Sequence, residues 1–325
     1  MAQSYVLGGH RPLLLCNGDN VVWYVGLPII GPGSRYVSSF HFTSIQMPEL
    51  PEVETVTRGL TPVMEGFVVD HVVQRRPNLR FPFPENFVGR MAGRRINQLT
   101  RRAKYILGYL DDGQVLLVHL GMSGRMTIFD DSAVGVPAPA KHDHVDFVMQ
   151  GGAVVRFTDP RRFGVITLIA ADEVPTHKML VDIGPEPLGN SFNAAVLAAG
   201  IAKRASPIKT VLLDQRLVAG LGNIYVCEAL FRSGIAPDRL AKDLKQDEIE
   251  RLYREIRLVL EDAIAAGGSS LKDHRQANGE LGYFQHSFRV YGREGESCIA
   301  DGCESTVGRI VQAGRSTFFC PTCQK

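Results

Sequence analysis

The final stretch of the chain, Cys298-x4-Cys303-x16-Cys320-x2-Cys323, restricts what it can fold into more than any other feature. Two close cysteine pairs separated by a hairpin-length segment are the pattern of a zinc ribbon. Four thiolates leave no open coordination position, so one Zn2+ held there is structural and does no chemistry. Cys16 and Cys227 stand far from this group, a distribution that argues against a secreted disulfide framework. Arg309 and Arg315 lie between the two pairs, and a ribbon that carries an arginine on a rigid turn suits phosphate or minor-groove contact.

At 325 residues the chain has room for two domains and a small third module of this kind. A net charge of +2 says nothing about a polyanionic partner. The distribution says more. From His71 to Lys104 come Arg75, Arg76, Arg80, Arg90, Arg94, Arg95, Arg101, Arg102 and Lys104, against the single acid Glu85. Such a run has two readings of equal weight, a phosphate-binding face or a solvated basic surface. No run is long and apolar enough to span a membrane as a helix.

Taken in order, residues 1–46 contain Gly-Pro-Gly and isolated hydrophobics without a sustained period, and little packed structure is expected there. Pro51 to Met64 reads as a helix with Val53, Val56, Leu60 and Val63 on one face and Gly66 closing it. From Phe67 to Ala170 the pattern changes to strands: Val68–Val73, a hairpin of 105–110 with 114–120 around Asp-Asp-Gly, a second hairpin of 145–149 with 153–157, and Val165–Ile169. Mainly antiparallel connections point to a sandwich. Two loops in this half carry unusual residues. One runs from His119 through Met122 to Arg125; the other, residues 158–164, sets Arg161, Arg162 and Phe163 at a turn. An aromatic next to arginines can wedge between base pairs, although a loop Phe folded onto the core is the commoner case.

Residues 172–192 are rich in proline and glycine and read as a linker. The second half is helical. Ser206-Pro207 opens a helix with Lys209 on its exposed side, residues 223–232 form another that Gly234 stops, and 247–266 is long and amphipathic. The turn Gly220-Leu221-Gly222-Asn223 delivers a helix N-terminus, which can bind phosphate through backbone N–H groups or be a plain interhelical turn. Residues 276–283 look like a mobile loop.

One stretch inside the chain, Met47-Pro48-Glu49-Leu50-Pro51-Glu52, resembles the start of a protein. If translation begins at Met47 and the methionine is removed, Pro48 presents a secondary amine beside the Glu49 carboxyl group. An α-amino group is neutral in appreciable fraction at cytoplasmic pH and can form an iminium with a sugar carbon. Residues 1–46 are then a non-native or disordered extension.

These motifs together resemble the bacterial formamidopyrimidine-DNA glycosylases. The resemblance runs from Met47 to Lys325 and rests on Met47 to Thr55, Arg101-Arg102-Ala103-Lys104-Tyr105, His119-Leu120-Gly121-Met122-Ser123-Gly124, Lys141-His142-Asp143-His144-Val145-Asp146, residues 158–164, Gly222-Asn223-Ile224-Tyr225 and the four cysteines. It implies an α+β fold: a β-sandwich with a leading helix over 47–175, a helix–two-turn–helix domain over 192–285 and a zinc ribbon over 289–325. It implies removal of oxidised purines, 8-oxoguanine and formamidopyrimidines, from double-stranded DNA, with β,δ-elimination of the abasic strand through a Schiff base. The catalytic set carried over is Pro48, Glu49, Lys104 and Arg315. The DNA-binding set is His119, Met122, Arg161, Phe163, Lys209 and Asn223, in which Met122, Arg161 and Phe163 fill the gap left by the extruded nucleotide and Arg161 faces the orphaned cytosine. Lys104, Asn223 and Arg315 take phosphates, Lys209 lies by the lesion pocket, and 276–283 closes over the damaged base. A bacterial cytoplasmic monomer is implied, with no nucleotide cofactor and no membrane. Two alternatives stay open. One is the related endonuclease VIII type, which prefers oxidised pyrimidines; Leu50 and the intact Pro160-Arg161-Arg162-Phe163-Gly164 match it less well. The other is a non-catalytic binder of damaged DNA in which the extension blocks Pro48.

Overall fold

A computed structural model describes residues 47–129, 135–269, 277 and 282–325, together with the backbone of residues 14–17 and 20–23. The chain divides into two compact units, Met1–Thr43 and Ser44–Lys325. In the first, strands β1 (Leu14–Asn17) and β2 (Asn20–Trp23) pair as an antiparallel hairpin. The expectation of little packed structure there otherwise lies outside the described residues.

The second unit opens with α1 (Leu50–Met64). Its start is set by Glu49, whose backbone is extended and whose N–H donates to the Glu52 carboxylate at 3.0 Å. Pro51 sits in the first turn, where a missing N–H leaves no bond unmade. Then come β3 (Val69–Gln74), α2 (Phe87–Met91), β4 (Ile96–Arg102), β5 (Tyr105–Leu110), β6 (Gln114–His119), β7 (Arg125–Phe129), β8 (Asp143–Met149), β9 (Val154–Thr158) and β10 (Val165–Ala170). They form two four-stranded antiparallel sheets, in the orders β10-β6-β5-β4 and β3-β8-β9-β7. Alternate residues of both, such as Ile106, Leu116 and Val118 of one and Val145, Phe147 and Phe157 of the other, share one core. Val53, Val56, Leu60 and Met64 of α1 join it, so the leading helix is locked to the sandwich by its apolar stripe. The sequence reading omits β4 and β7. β4 carries Gln98, Thr100, Arg101 and Arg102 among its apolar residues and shows no clean alternation; β7, Arg125–Phe129, alternates over only four of its five residues.

Residues 172–192 connect this layer to the next and are fastened by side chains from both directions. The Arg102 guanidinium donates to the carbonyls of Ile183 and Gly184, and that of Arg257 to the carbonyl of Pro187. Leu180 seals a small apolar cluster on the outer face of β5, β6 and β10. The helical half contains α3 (Ala194–Ile201), α4 (Ile208–Leu212), α5 (Asn223–Ser233) and α6 (Gln246–Ala265) around a core centred on Leu212, Tyr225, Leu252 and Leu260. Gly234, at φ +68°, closes α5 in the left-handed conformation that glycine adopts at least cost. The chain ends in a hairpin, β11 (Gly308–Gln312) with β12 (Arg315–Phe319), whose Val307, Phe318 and Cys320 belong to the helical core. Among the described residues, no helix is long and apolar enough to cross a membrane.

Candidate active site

The sandwich and the helical half meet at the N-terminus of α1. The Leu50 N–H donates to the Gly220 carbonyl at 3.1 Å, and Leu50 is itself part of the helical core. The next contact is tighter. A Cβ on Gly222 would lie 2.2 Å from the carboxyl carbon of Glu49, so only glycine admits that side chain. One Glu49 oxygen accepts the Ile224 N–H at 3.0 Å; the other is buried without a hydrogen-bond partner among the described residues. The glycine turn expected to offer its helix N-terminus to phosphate therefore holds the Glu49 carboxylate at the start of α5.

Glu49 is 4 % exposed. Burial pushes its carboxyl group up to about 7, against the opposing charge of Lys104 and the amides of Ile224 and Tyr225, while the nearby Glu52 raises it further. Pro48 beside it is buried, and Met47 is exposed. Glu52, to which the sequence reading gives no role of its own, is the hub beneath them. It accepts the Glu49 N–H, the Tyr225 hydroxyl at 2.5 Å, and the Ser269 N–H and hydroxyl at 2.9 and 2.8 Å. Four donors satisfy a buried carboxylate without a cation. The local sequence offers one signal of this, an acid one position after a proline on the face that packs.

Two lysines converge on Glu49. Lys104 follows Ala103, whose φ of +51° turns the chain out of β4, and its ammonium is held below the usual lysine range by burial, in opposition to Glu49 and Glu52 and in concert with Arg315. Lys209 was expected on an exposed face; it is 0 % exposed. Its Nζ has no hydrogen-bond partner among the described residues, and burial lowers its basicity, with Cys227 and Glu49 opposing and Arg315 reinforcing. The apolar periodicity of α4 is correct, but its polar side faces the neighbouring core instead of water. A helix of five residues cannot reveal that from its own residues.

The two sandwich loops interlock. Gly121, at φ +66°, comes so close that a Cβ would lie 2.5 Å from the Phe163 carbonyl carbon. The buried Asp159 accepts the Ser123 hydroxyl at 2.5 Å and the Gly164 N–H at 2.8 Å, and the Ser123 oxygen accepts the Arg161 N–H at 3.1 Å. Met122 and the Arg161–Phe163 turn are thus one preformed unit. Phe163 stays 42 % exposed, with the Arg161 guanidinium 5.1 Å from its ring centre. His119 stacks on Tyr105 at 4.8 Å, and its Nδ1 accepts the Gly121 N–H at 3.0 Å, which leaves the proton on Nε2. Burial, then the charges of Lys104 and Arg80, push His119 down to about 4, so it meets a ligand as a neutral donor.

The ribbon joins the same cleft. The Asn223 amide donates to the Ser316 carbonyl at 2.9 Å and so fastens α5 to the residue after Arg315; its oxygen is buried without a partner among the described residues. Arg315 is exposed at the start of β12, whereas Arg309 donates to the Ser316 hydroxyl and pairs with Glu294. The ligand sulfurs of Cys298, Cys303, Cys320 and Cys323 lie within 4.8 Å of one another. The Cys298–Cys323 and Cys303–Cys320 distances are 3.8 and 3.7 Å. Tetrahedral Zn–S bonds of ~2.3 Å require S···S separations close to these, so the four thiolates fit one zinc ion in a closed structural site. The loop expected to cap the damaged base falls largely outside the described residues; Tyr283 at its end is exposed.

The basic run is a correction. Arg75 pairs with Asp146, Arg94 with Asp112, Arg101 with Glu54 and Glu186, and Arg102 with Glu186. Arg90 holds Gln114, and Arg95 the Gly66 carbonyl. Acids distant in sequence neutralise much of what local composition offered to phosphate.

Comparison with known proteins agrees with this geometry. Residues 47–166 match the family profile of the formamidopyrimidine-DNA glycosylase N-terminal domain, 183–275 that of the formamidopyrimidine-DNA glycosylase H2TH domain, and 303–325 that of a zinc finger found in FPG and IleRS. The formamidopyrimidine-DNA glycosylase of a Cereibacter sphaeroides strain is 57 % identical over 283 residues, which is 86 % of this chain and all of that protein. That of Ruegeria pomeroyi is 56 % identical over the same span. Among solved structures, the MutM (Fpg) protein of Thermus thermophilus superposes with a TM-score of 0.75 at 42 % identity, covering 85 % of this chain and 98 % of that one. The Lactococcus lactis Fpg in complex with abasic-site DNA superposes at 0.77 and 34 % identity, covering 86 % and 100 %. With its sandwich, helical domain and ribbon arranged around Glu49 as they are, and with relatives this similar over their whole length, the chain belongs to the formamidopyrimidine-DNA glycosylase family.

Proposed function

We propose that this protein, in the form whose amino terminus is Pro48, removes oxidised purines from duplex DNA and cleaves the abasic strand it creates. The observation that carries the reading is the Glu49 carboxyl group: adjacent to Pro48, buried, and with a pKa near 7, it can give and then take a proton at neutral pH. A base inside a duplex is out of reach, so the damaged nucleotide is extruded, and Met122, Arg161 and Phe163 fill the gap, with Arg161 against the orphaned base. The Pro48 nitrogen attacks C1′, the bond from C1′ to the base breaks, and the amine proton passes to the departing base. Glu49 protonates the ring oxygen as the sugar opens, which leaves an iminium between Pro48 and C1′. The iminium acidifies the adjacent carbon, and loss of its proton expels the 3′ phosphate; a second elimination expels the 5′ phosphate. Lys104, Asn223 and Arg315 hold the flanking phosphates, Lys209 lines the lesion pocket and His119 donates a neutral hydrogen bond. The zinc ribbon keeps Arg315 rigid and takes no part in bond making. The protein works as a monomer on the chromosome in the bacterial cytoplasm.

With residues 1–46 attached, the Pro48 nitrogen is a tertiary amide without a free lone pair. The amine chemistry therefore requires a chain that begins at Pro48. Borohydride trapping on an 8-oxoguanine:cytosine duplex tests this directly. The form beginning at Pro48 should become covalently linked to DNA and the 325-residue form should not; equal trapping by both would overturn the assignment of Pro48. Preferential excision of thymine glycol would instead favour the endonuclease VIII type.

A further inference from the structure

Three cations of the basic run, Arg76, Arg80 and Lys104, make no side-chain hydrogen bond or ion pair among the described residues, whereas the other six do. Lys104 belongs to the catalytic cleft. Arg80 is exposed on a tight turn, residues 78–82, closed by the Asn78–Pro82 bridge and anchored by the buried Leu79. The turn is fastened to the wedge: the Arg80 N–H donates to the carbonyl of Gly164, the residue after Phe163, at 3.2 Å. Its charge is also felt by Tyr105 and His119. Phe81 beside it is 48 % exposed, and the Arg80 guanidinium lies 5.6 Å from its ring centre. The arrangement repeats that of Arg161 and Phe163 on the adjoining loop. An isolated exposed Phe would need no explanation. This one sits on a turn bonded to the wedge, under an arginine whose guanidinium makes no hydrogen bond among the described residues, where six of the nine cations of the run do.

We propose that residues 78–82 form a second DNA contact beside the wedge, in which Arg80 binds a backbone phosphate and the Phe81 ring packs on the adjacent deoxyribose. The partner is the sugar–phosphate backbone, which continues past the site where the wedge enters, and the contact carries no base specificity. The inference rests on the reading of the Phe163 loop as a DNA wedge.

The test is binding of the full 325-residue chain to a duplex with a tetrahydrofuran abasic-site analogue, titrated from low to high salt. Arg80→Ala should lower the slope of log affinity against log salt by about one. Phe81→Ala should weaken binding roughly tenfold and leave the slope unchanged. Arg94→Ala, which removes a guanidinium already paired with Asp112, should change neither. If the parent prefers damaged over intact duplex and Phe163→Ala abolishes that preference, while Arg80→Ala and Phe81→Ala match the parent, the second contact is wrong and the wedge stands. If the parent does not distinguish the two duplexes, the wedge reading fails and this inference fails with it.

Discussion

The molecule treats buried charge in two opposite ways. Inside the β3-β8-β9-β7 sheet, Arg156 lies between Asp146 and Asp143, with its Nε 2.8 Å from Asp146; Arg75 closes on Asp146 from the other side. Asp146 is held below the usual carboxylate range by the hydrogen bonds and charges of Arg75 and Arg156, which overcome its burial. In the cleft between sandwich and helical half, Glu49, Lys104 and Lys209 are as deeply buried but make no ion pair among the described residues, and burial shifts each towards its neutral form. A matched pair secures a fold. Unmatched groups of shifted pKa are available to move protons and to meet an incoming phosphate.

This contrast orders the expected effects of substitution. The largest falls in the cleft: Glu49→Gln keeps the shape and removes the proton, so single-turnover excision by the form beginning at Pro48 should fall about a hundred- to ten-thousand-fold with the unfolding midpoint nearly unchanged. An unaltered rate would remove Glu49 from the chemistry. The sandwich should respond the other way. Arg156→Ala leaves the buried Asp143 without its cation and Asp146 with Arg75 alone, and should cost about 3–5 kcal/mol in denaturant unfolding, without a specific effect on the chemical step of the folded fraction. Gly222→Ala lies between these extremes in kind. Its Cβ would displace the Glu49 carboxylate, and a shift on the order of an ångström costs ~100-fold in kcat; wild-type kcat would show that the close contact is not needed.

The pH dependence sharpens the contrast further. On the proposed mechanism, excision needs Glu49 protonated and the Pro48 amine neutral. The rate should rise with pH as the amine loses its proton, near the ordinary α-amino range of about 7.7–8.0, and fall as Glu49 ionises above about 7. The result is a narrow bell between these values, and a flat profile from pH 6 to 9 would contradict it. For stability, Glu49 binds a proton more tightly folded than unfolded, so its contribution is fully present below the unfolded value of 4.5 and is lost as pH rises through about 7. Asp146 has the opposite sign: its folded pKa is depressed, so its contribution is present above the unfolded value of 3.8 and is lost in acid. The smallest effect belongs to the exposed pair of Arg94 with Asp112, whose removal should change stability by about 0–1 kcal/mol.

Much of this architecture could be read from local pattern. Helix α1, the hairpins and the stop of α5 at Gly234 follow from periodicity and glycine placement, which act over a few residues. The cysteine spacing suffices for the zinc site because four ligands of one ion must meet. The basic run misled because a charge count cannot see partners: Glu186 lies 84 positions beyond Arg102, and Asp146 lies 71 beyond Arg75. Lys209 misled for the same reason, since the neighbours that bury it come from other elements. Glu52 and the Ser123–Asp159 link were missed because each depends on groups from separate segments.

The sequence by itself determined most of the elements, the ribbon, the catalytic candidates and, through the adjacency of Pro48 and Glu49, a proposed nucleophile next to an acid, because covalent neighbours need no fold to be close. Only the tertiary structure decided what state those groups are in. The Ile224 amide reaches Glu49 across 175 positions, and Gly222 leaves the space that its carboxyl group fills. Desolvation is a property of everything packed around a group, and no single segment carries it. That is why the pattern of residues names the acid, whereas the packing of two halves of the chain raises its pKa to where it can act.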